Sequence, residues 1–325
     1  ECRPVTPEVA GSSPVARASF SPALPLRCAS KADCQMREQD RAFLLGLLGV
    51  VIFAITVPMT RLATDRPGFA GLDPLFITAG RAGLAGLLSA VYLAVTRAPR
   101  PDRSQVFRLG QAGLGIVIGF PLFLGLAVRH VDAVHASVIT GALPLATAAL
   151  AALLLRERAS TAFWAAAILG FALVILYAWL AGDGGRGLSL ADLALLAAVI
   201  SAAFGYVKGA EVSRSLGPER VICWVLVLYL PLTIPVAWAF RPTGAVEPAA
   251  WLGFAYVTVF SMWLGFFAWY RGLAADPLRV SQVQLLQPFL SMLFAVPILG
   301  ERMNWMASLF CLAIIAVVAL SRKLR

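Results

Sequence analysis

Ten apolar stretches of roughly twenty residues each follow one another along the chain, separated by short charged or Gly/Pro-containing turns. They run over 42–62, 74–96, 109–128, 133–155, 161–181, 190–213, 221–240, 249–270, 278–299 and 303–321. A stretch of that length crosses the hydrocarbon of a bilayer as a helix. Hydrocarbon offers the backbone no water to bond, so each run must satisfy its own N–H and C=O groups, and the two-residue alternation of a membrane β-barrel is absent. The expected fold class is all-α: a polytopic membrane protein of ten transmembrane helices. Composition agrees, because 60% hydrophobic residues against 14% charged, with mean hydropathy +0.81, leave too few polar side chains to cover a soluble globule.

The formal charge of +10 does not ask for a nucleic-acid partner, because the Lys and Arg residues lie between apolar runs rather than on a basic patch. With the N-terminus inside, 14 basic residues of the turns and C-terminus fall on the inner side and 6 on the outer, Arg81 counting for neither. Both termini are therefore expected on the cytoplasmic side of a cell membrane, such as a bacterial inner membrane. Residues 1–40 are rich in Pro, Ser and Ala and hold no spanning run, so a disordered tail is expected there, with an organelle-targeting segment as the rival reading. The chain opens on Glu1, and Met36 is the candidate start of the native protein. The five Cys form no CxxC pair and have only two His to join them, so neither a disulfide framework nor a metal site nor any cofactor is expected.

Displacing the sequence by 144 residues lays the third to fifth runs on the eighth to tenth without a gap. Phe123 falls on Phe267, Asp132 on Asp276, Ser137 on Ser281, Pro144 on Pro288, Leu155 on Leu299, and Glu157–Arg158 on Glu301–Arg302. One register with matching loop lengths argues for a duplicated unit of five helices, 41–182 and 189–321. The first two helices of each unit match only weakly, near Phe53 and Phe204. Five is odd, so the second unit enters from the opposite side, and inverted repeats are an architecture that secondary transporters use for alternating access about a midplane site.

Three segments resemble a known family. LDPLFITAGRAGLAGLL (72–88) is similar to the second-helix pattern of the EamA-type transporters of the drug/metabolite transporter superfamily. LPLATAALAALLLRER (143–158) and QPFLSMLFAVPILGERMN (287–304) resemble that family's paired motif, a Pro-interrupted helix closed by Gly-Glu-Arg. The resemblance implies a ten-helix carrier with cytoplasmic termini that exports or exchanges small metabolites, often amino acids or amphipathic, drug-like molecules. The chain departs from the pattern at Arg156, where the second copy has Gly300, and lacks the Trp often found near Phe53 and Phe204.

Candidate substrate-binding residues are Arg81, Thr140, Tyr206, Lys208, Trp263, Ser281, Gln284 and Gln287. An intramembrane Arg costs about 2.5–3.5 kcal/mol on insertion scales, so Arg81 must face the protein interior, either to attract a carboxylate or phosphate or to bond carbonyls of a neighbouring helix. Lys208 is placed to snorkel toward the cytoplasmic headgroups or to meet substrate, and Tyr206 to line the path or anchor the interface. Ser137, Thr140, Pro144 and Thr147 form a stripe by steps of three and four, repeated by Ser281, Gln284, Pro288 and Ser291. It lines a cavity or acts as interhelical glue. Gln287 edges off that stripe, Trp263 is deep enough to stack on a substrate, and His135 is a lone titratable group near the outer end. Asp132, Asp192, Glu211 and Asp276 all lie near span ends, which argues against strong proton coupling.

Pro144, Glu157, Arg158, Pro288, Gly300, Glu301 and Arg302 carry the paired motif, and its Glu–Arg pairs are expected to end a helix and position the halves. Gly115, Gly119, Gly205 and Gly209 are expected to allow close helix packing. The expected partners are a small-molecule substrate and the lipid bilayer, with a homodimer left open. Without GxSxG or HExxH, a membrane-embedded enzyme is disfavoured, and a non-transporting scaffold subunit is the remaining alternative.

Overall fold

The structure is a computed structural model that describes residues 31–154, 156, 160–181, 187–275 and 283–323. Among these residues the chain is all-helical apart from turns and two isolated β-bridges in the 64–72 loop. Eight helical stretches are long and apolar enough to cross a membrane: Phe43–Ala63, Pro74–Val95, Arg103–Val128, Ala133–Leu154, Thr161–Ala181, Leu190–Ser213, Glu219–Ala239 and Pro248–Gly272. Two shorter apolar helices, Gln284–Leu299 and Trp305–Ser321, follow. The Leu155, Glu157, Arg158, Asp276 and Ser281 positions lie outside the described residues.

The described residues open on helical backbone at Lys31, inside the expected tail, where good helix formers such as Ala32, Gln35 and Met36 carry the helix into the first apolar run. The stretches are not simple rods. Proline has no N–H and crowds the carbonyl four residues back, so each proline inside a run leaves an acceptor without its donor. The first stretch is α1 (Lys31–Ala54) and α2 (Thr56–Ala63), parted at Ile55, where Pro58 withholds its bond from Ala54. After α3 (Pro74–Val95), the third runs through α4 (Arg103–Gly113), a π-helical stretch Leu114–Gly119 and α5 (Phe120–Val128), with Pro121 downstream. The fourth breaks at Gly141–Ala142 into α6 (Ala133–Thr140) and α7 (Leu143–Leu154), since Pro144 cannot bond Thr140.

Then come α8 (Thr161–Ala181), α9 (Leu190–Leu216), opened by a reciprocal cap between Ser189 and Asp192, and α10 (Pro218–Ala239). The eighth stretch is α11 (Pro248–Tyr256), a π-helical stretch Val257–Leu264 and α12 (Gly265–Ala275). A 3-10 turn at Gln284–Leu286 leads into α13 (Gln287–Leu299), and α14 (Trp305–Lys323) ends the description. The π-helical stretches fall on each other at the 144-residue displacement, and so do the break at Gly141–Ala142 and the 3-10 turn.

Side by side, α3 packs along α10, α1 along α12, α5 and α7 along α9, α8 along α14, and α6 along α13. Small residues permit the closest of these approaches. A Cβ on Gly115 would lie 2.1 Å from the Ser201 carbonyl oxygen, and one on Gly205 would lie 2.8 Å from that of Ala112. Trp179, Trp238, Trp251 and Trp305 are half to largely exposed near span ends, where their rings suit an interface.

The two copies of the paired motif end alike. Gly300 closes α13 in the left-handed region at φ 69°, and Arg156, its counterpart, holds φ 53°. Glycine pays nothing for that conformation, whereas an L side chain pays about 1–2 kcal/mol. Replacing the exposed Arg156 by glycine is expected to raise stability by about 0.5–1 kcal/mol, and Gly300→Ala to lower it comparably, as read by thermal unfolding in detergent. Gly205→Val, which no local shift accommodates, is expected to yield no monodisperse protein.

Candidate functional site

The broken helices surround a central cavity of about 570 Å³. Phe53 of α1 and Thr56 and Val57 of α2 form one wall; Arg81 of α3, Ile116 of the first π-helical stretch and Phe120 form a second. Ala202 and Tyr206 of α9, Ser261 and Met262 of the second π-helical stretch, and Phe266 close it, with Thr140, Leu143 and Gln287 at its far side. Beyond these last residues it continues into a lobe of about 300 Å³ lined also by Pro144, Gln284, Pro288 and Ser291. Both halves of the sequence supply walls.

Arg81 is 2% exposed. Its Nη2 donates to Ser261 Oγ at 3.3 Å and reaches Met262 Sδ at 3.4 Å, while Nε and Nη1 have no partner among the described residues. The expected alternative, a guanidinium bonded to neighbouring carbonyls, is not what the structure holds. Ser261 also hydrogen-bonds Thr56 at 2.9 Å, so a chain Thr56–Ser261–Arg81 joins three helical stretches around the cavity. Next to it the Ile52 carbonyl, one turn before the break at Ile55, accepts from the Tyr256 hydroxyl at 3.0 Å.

Arg81, Thr140, Tyr206, Gln284 and Gln287 are thus brought together, with Pro144 and Pro288 behind the turns that present Thr140, Gln284 and Gln287. The stripe divides: Ser137 and Ser291 bond each other at 2.8 Å and tie α6 to α13, whereas Thr147 bonds its own helix at Leu143. Two candidates stand elsewhere. Lys208 Nζ pairs with Glu211 at 2.8 Å near the end of α9, where Arg108 of α4 also meets Glu211 at 3.5 Å, because its long stem reaches the span end more easily than the cavity. Trp263 packs on Tyr92 and Phe267, with ring centroids 6.5 and 5.0 Å away, and its neighbours Ser261 and Met262 take the cavity face instead. Ser281 lies outside the described residues. Phe53, Thr56, Ser261, Met262 and Phe266 were not singled out from sequence; a deep hydroxyl pair 205 residues apart leaves no local signature.

Charged networks sit at the two ends. At one, Arg61 reaches the Asp132 carboxylate and the Val131 carbonyl and donates through Nε to Glu301 at 2.9 Å. Glu301 accepts from the backbone N–H groups of Ala133 and Val134 at 2.9 and 2.8 Å. It therefore caps α6 from the other half of the chain, the role that Asp132, engaged by Arg61, leaves open. Glu301 thus ties the two halves of the sequence together, with Arg61 as its ion-pair partner. Burial pushes the Glu301 carboxyl up from its ordinary range, against the two amides and Arg61, which pull it down. At the same end Arg129 pairs with Asp65. His135 is not alone: its Nε2 lies 2.6 Å from Oδ1 of Asp192, which is fully buried and held by Ser189, and the Tyr177 ring leans on the imidazole at 5.1 Å. The opposite end carries Arg271 on Glu219, with Tyr92 nearby, and Arg108 and Lys208 on Glu211.

A multi-pass helical membrane protein built round a polar cavity is the class these features define. The EamA-like transporter family model matches residues 40–179 and 189–322. An uncharacterized transporter of Bacillus subtilis (strain 168), YdeK, is 40% identical over 291 residues, 89% of this chain and 99% of its own length. A "Probable terminal-alkyne amino-acid exporter" of Streptantibioticus cattleyicolor is 29% identical over 265 residues, 78% of this chain and 84% of its own. A solved crystal structure shares the fold with a TM-score of 0.61 at 20% identity, covering 87% of this chain and 99% of that one. The chain belongs to the EamA-like transporters, within the drug/metabolite transporter superfamily.

Glu301 supplies two caps and one ion pair, so its truncation has a measurable cost. Glu301→Ala is expected to lose about 1–3 kcal/mol of stability, and Glu301→Gln, which keeps an acceptor for α6 but not the charge facing Arg61, about half as much; thermal unfolding in detergent checks both.

Proposed function

We propose that this protein is a secondary transporter of small organic metabolites, exporting or exchanging amino acids or amphipathic, drug-like compounds by alternating access. In this reading ten spans form two inverted five-helix halves, 41–182 and 189–321, with both termini on the cytoplasmic side of the cell membrane. The observation that carries it is the pattern of helix partners. The first span packs on the eighth as the third packs on the sixth, while the second meets the seventh, the fourth the ninth and the fifth the tenth. Those are the exchanges a two-fold axis in the membrane plane would make. The matching π-helical stretches and proline-linked breaks support the same axis, and the cavity it would pass through draws on both halves.

Alternating access needs a site reached from one end at a time and contacts at both ends that can part. The Arg61–Asp132–Glu301 network and the Glu219–Arg271 and Glu211–Arg108 pairs occupy those positions. The amino-acid chemistry and outward direction draw on the exporter relative and on the cavity's mix of polar and aromatic walls.

Counterflow in liposomes is the test. Purified protein loaded with an internal amino acid is expected to accelerate uptake of the same labelled solute; a channel shows no such trans-stimulation, and its absence across amino acids, carboxylates and amines would reject the carrier. Thr140→Trp, which fills the space between the two lobes, is expected to abolish counterflow in correctly inserted protein. Accessibility labelling is expected to place the turns after Leu155 and Leu299 on opposite sides; the same side for both would end the inverted arrangement.

A further inference from the structure

A guanidinium keeps its charge in any ordinary protein environment, and inside a membrane protein that charge needs either a carboxylate or water. Near the span ends Arg61, Arg108, Arg129, Lys208 and Arg271 all face carboxylates. Arg81 does not. Among the described residues no Asp or Glu lines either lobe of the cavity, and the groups Arg81 touches, Ser261 and Met262, are neutral. Its Nε and Nη1 have no acceptor among the described residues although the side chain is 2% exposed. A buried guanidinium that borders a cavity with no carboxylate among those residues is placed to take its counter-charge from a bound solute.

We propose that the cavity is a binding site for the carboxylate of a monoanionic amphipathic solute, with Arg81 as its sole counter-ion, and that it discriminates by net charge against zwitterions and, most strongly, amines. The proposal rests on the carrier reading of the same cavity and narrows its substrate class. A carboxylate meeting Nε and Nη1 makes charge-assisted bonds to a buried guanidinium, and the Phe53, Phe120 and Phe266 rings take up the apolar remainder. An ammonium entering the same space meets a like charge and only neutral acceptors, the oxygens of Thr140, Tyr206 and Gln287 among them. The transport cycle inherits the asymmetry. Loaded, Arg81 reorients as part of a neutral pair; empty, it reorients as a bare buried charge, so exchange of anions outruns net release.

Three compounds that share one ring separate the charges: indolepropionate, tryptophan and tryptamine carry net negative, zero and positive charge near neutral pH. Binding to the purified full-length chain is read by ligand-induced thermal shift and by competition, and transport by counterflow in liposomes. The expected order of affinity is acid, then zwitterion, then amine, with about tenfold or more between the extremes. Arg81→Lys is expected to keep the order and Arg81→Gln to compress it to within about twofold. Should Arg81→Gln not fold, the wild-type protein decides alone: the uncharged amide of indolepropionate must bind about tenfold more weakly than the acid.

An amine or amide that binds as well as the acid, an order unchanged in folded Arg81→Gln, or no saturable binding of the acid at all overturns the proposal. Arg81-dependent binding of the acid without trans-stimulation leaves this site standing and removes the carrier reading. Trans-stimulation led by the amine or the zwitterion does the reverse.

Discussion

Inside hydrocarbon a peptide group that loses its helical partner has no water to turn to, and the irregularities of this fold all follow from that constraint. The chain departs from regular α-helix within its spans at Ile55, at Leu114–Gly119, at Gly141–Ala142, at Val257–Leu264 and at Gln284–Leu286. Residues of these segments or their immediate neighbours, among them Thr56, Ile116, Phe120, Thr140, Leu143, Ser261, Met262 and Gln287, line one cavity. The defects are not scattered, because broken backbone is tolerable at membrane depth only where protein or a polar space surrounds it. Pro144 and Pro288, which line the cavity, withdraw donors beside it, so the same residues that weaken the rods gather polar groups there.

Much of this was legible in the sequence, and the part that was not has a geometric cause. The eight long spans agree with the sequence to within about six residues, since the transfer of apolar side chains fixes them almost alone. Pro144 and Pro288 pointed to the breaks beside the cavity. What failed was angle. A stripe drawn at constant helical pitch set Gln287 off the line of Gln284, yet the 3-10 turn between them advances about 120° per residue, so residues three apart eclipse and both amides enter the cavity. Across Val257–Leu264 the π-helical winding turns more slowly, and Ser261 and Met262 take the face that α-helical spacing had left open to Trp263. Propensity carries no warning of either change in pitch.

Long-range polar partners were hidden for another reason. Glu301 was visible as part of a repeated Gly-Glu-Arg, but its true partners, Arg61 and the amides of Ala133 and Val134, lie 167 or more residues away. The left-handed residue before it explains how the motif works. Gly300 turns the chain back at the end of α13, which aims the next carboxylate at the neighbouring helix rather than along its own. Arg156 adopts the same turn at a steric cost, so the geometry, more than the glycine, is what the two copies share. His135 and Asp192 teach the same lesson: each looked isolated near a span end, and the fold buries them against each other.

The contrast between the ends and the centre then has a simple energetic sense. Ionic networks at the ends can exchange a carboxylate for water at little cost, because headgroups and solvent are within reach when the contact parts. Arg81 has no such recourse, held by three helical stretches at a depth where desolvation is paid in full. A protein that moves between two arrangements must keep its central charge satisfied in both while its end contacts form and break in turn. On the alternating-access reading proposed above, ion pairs at the rims and the unpaired Arg81 in the middle would meet that requirement through a bound solute, which would then be part of the packing and not merely its passenger.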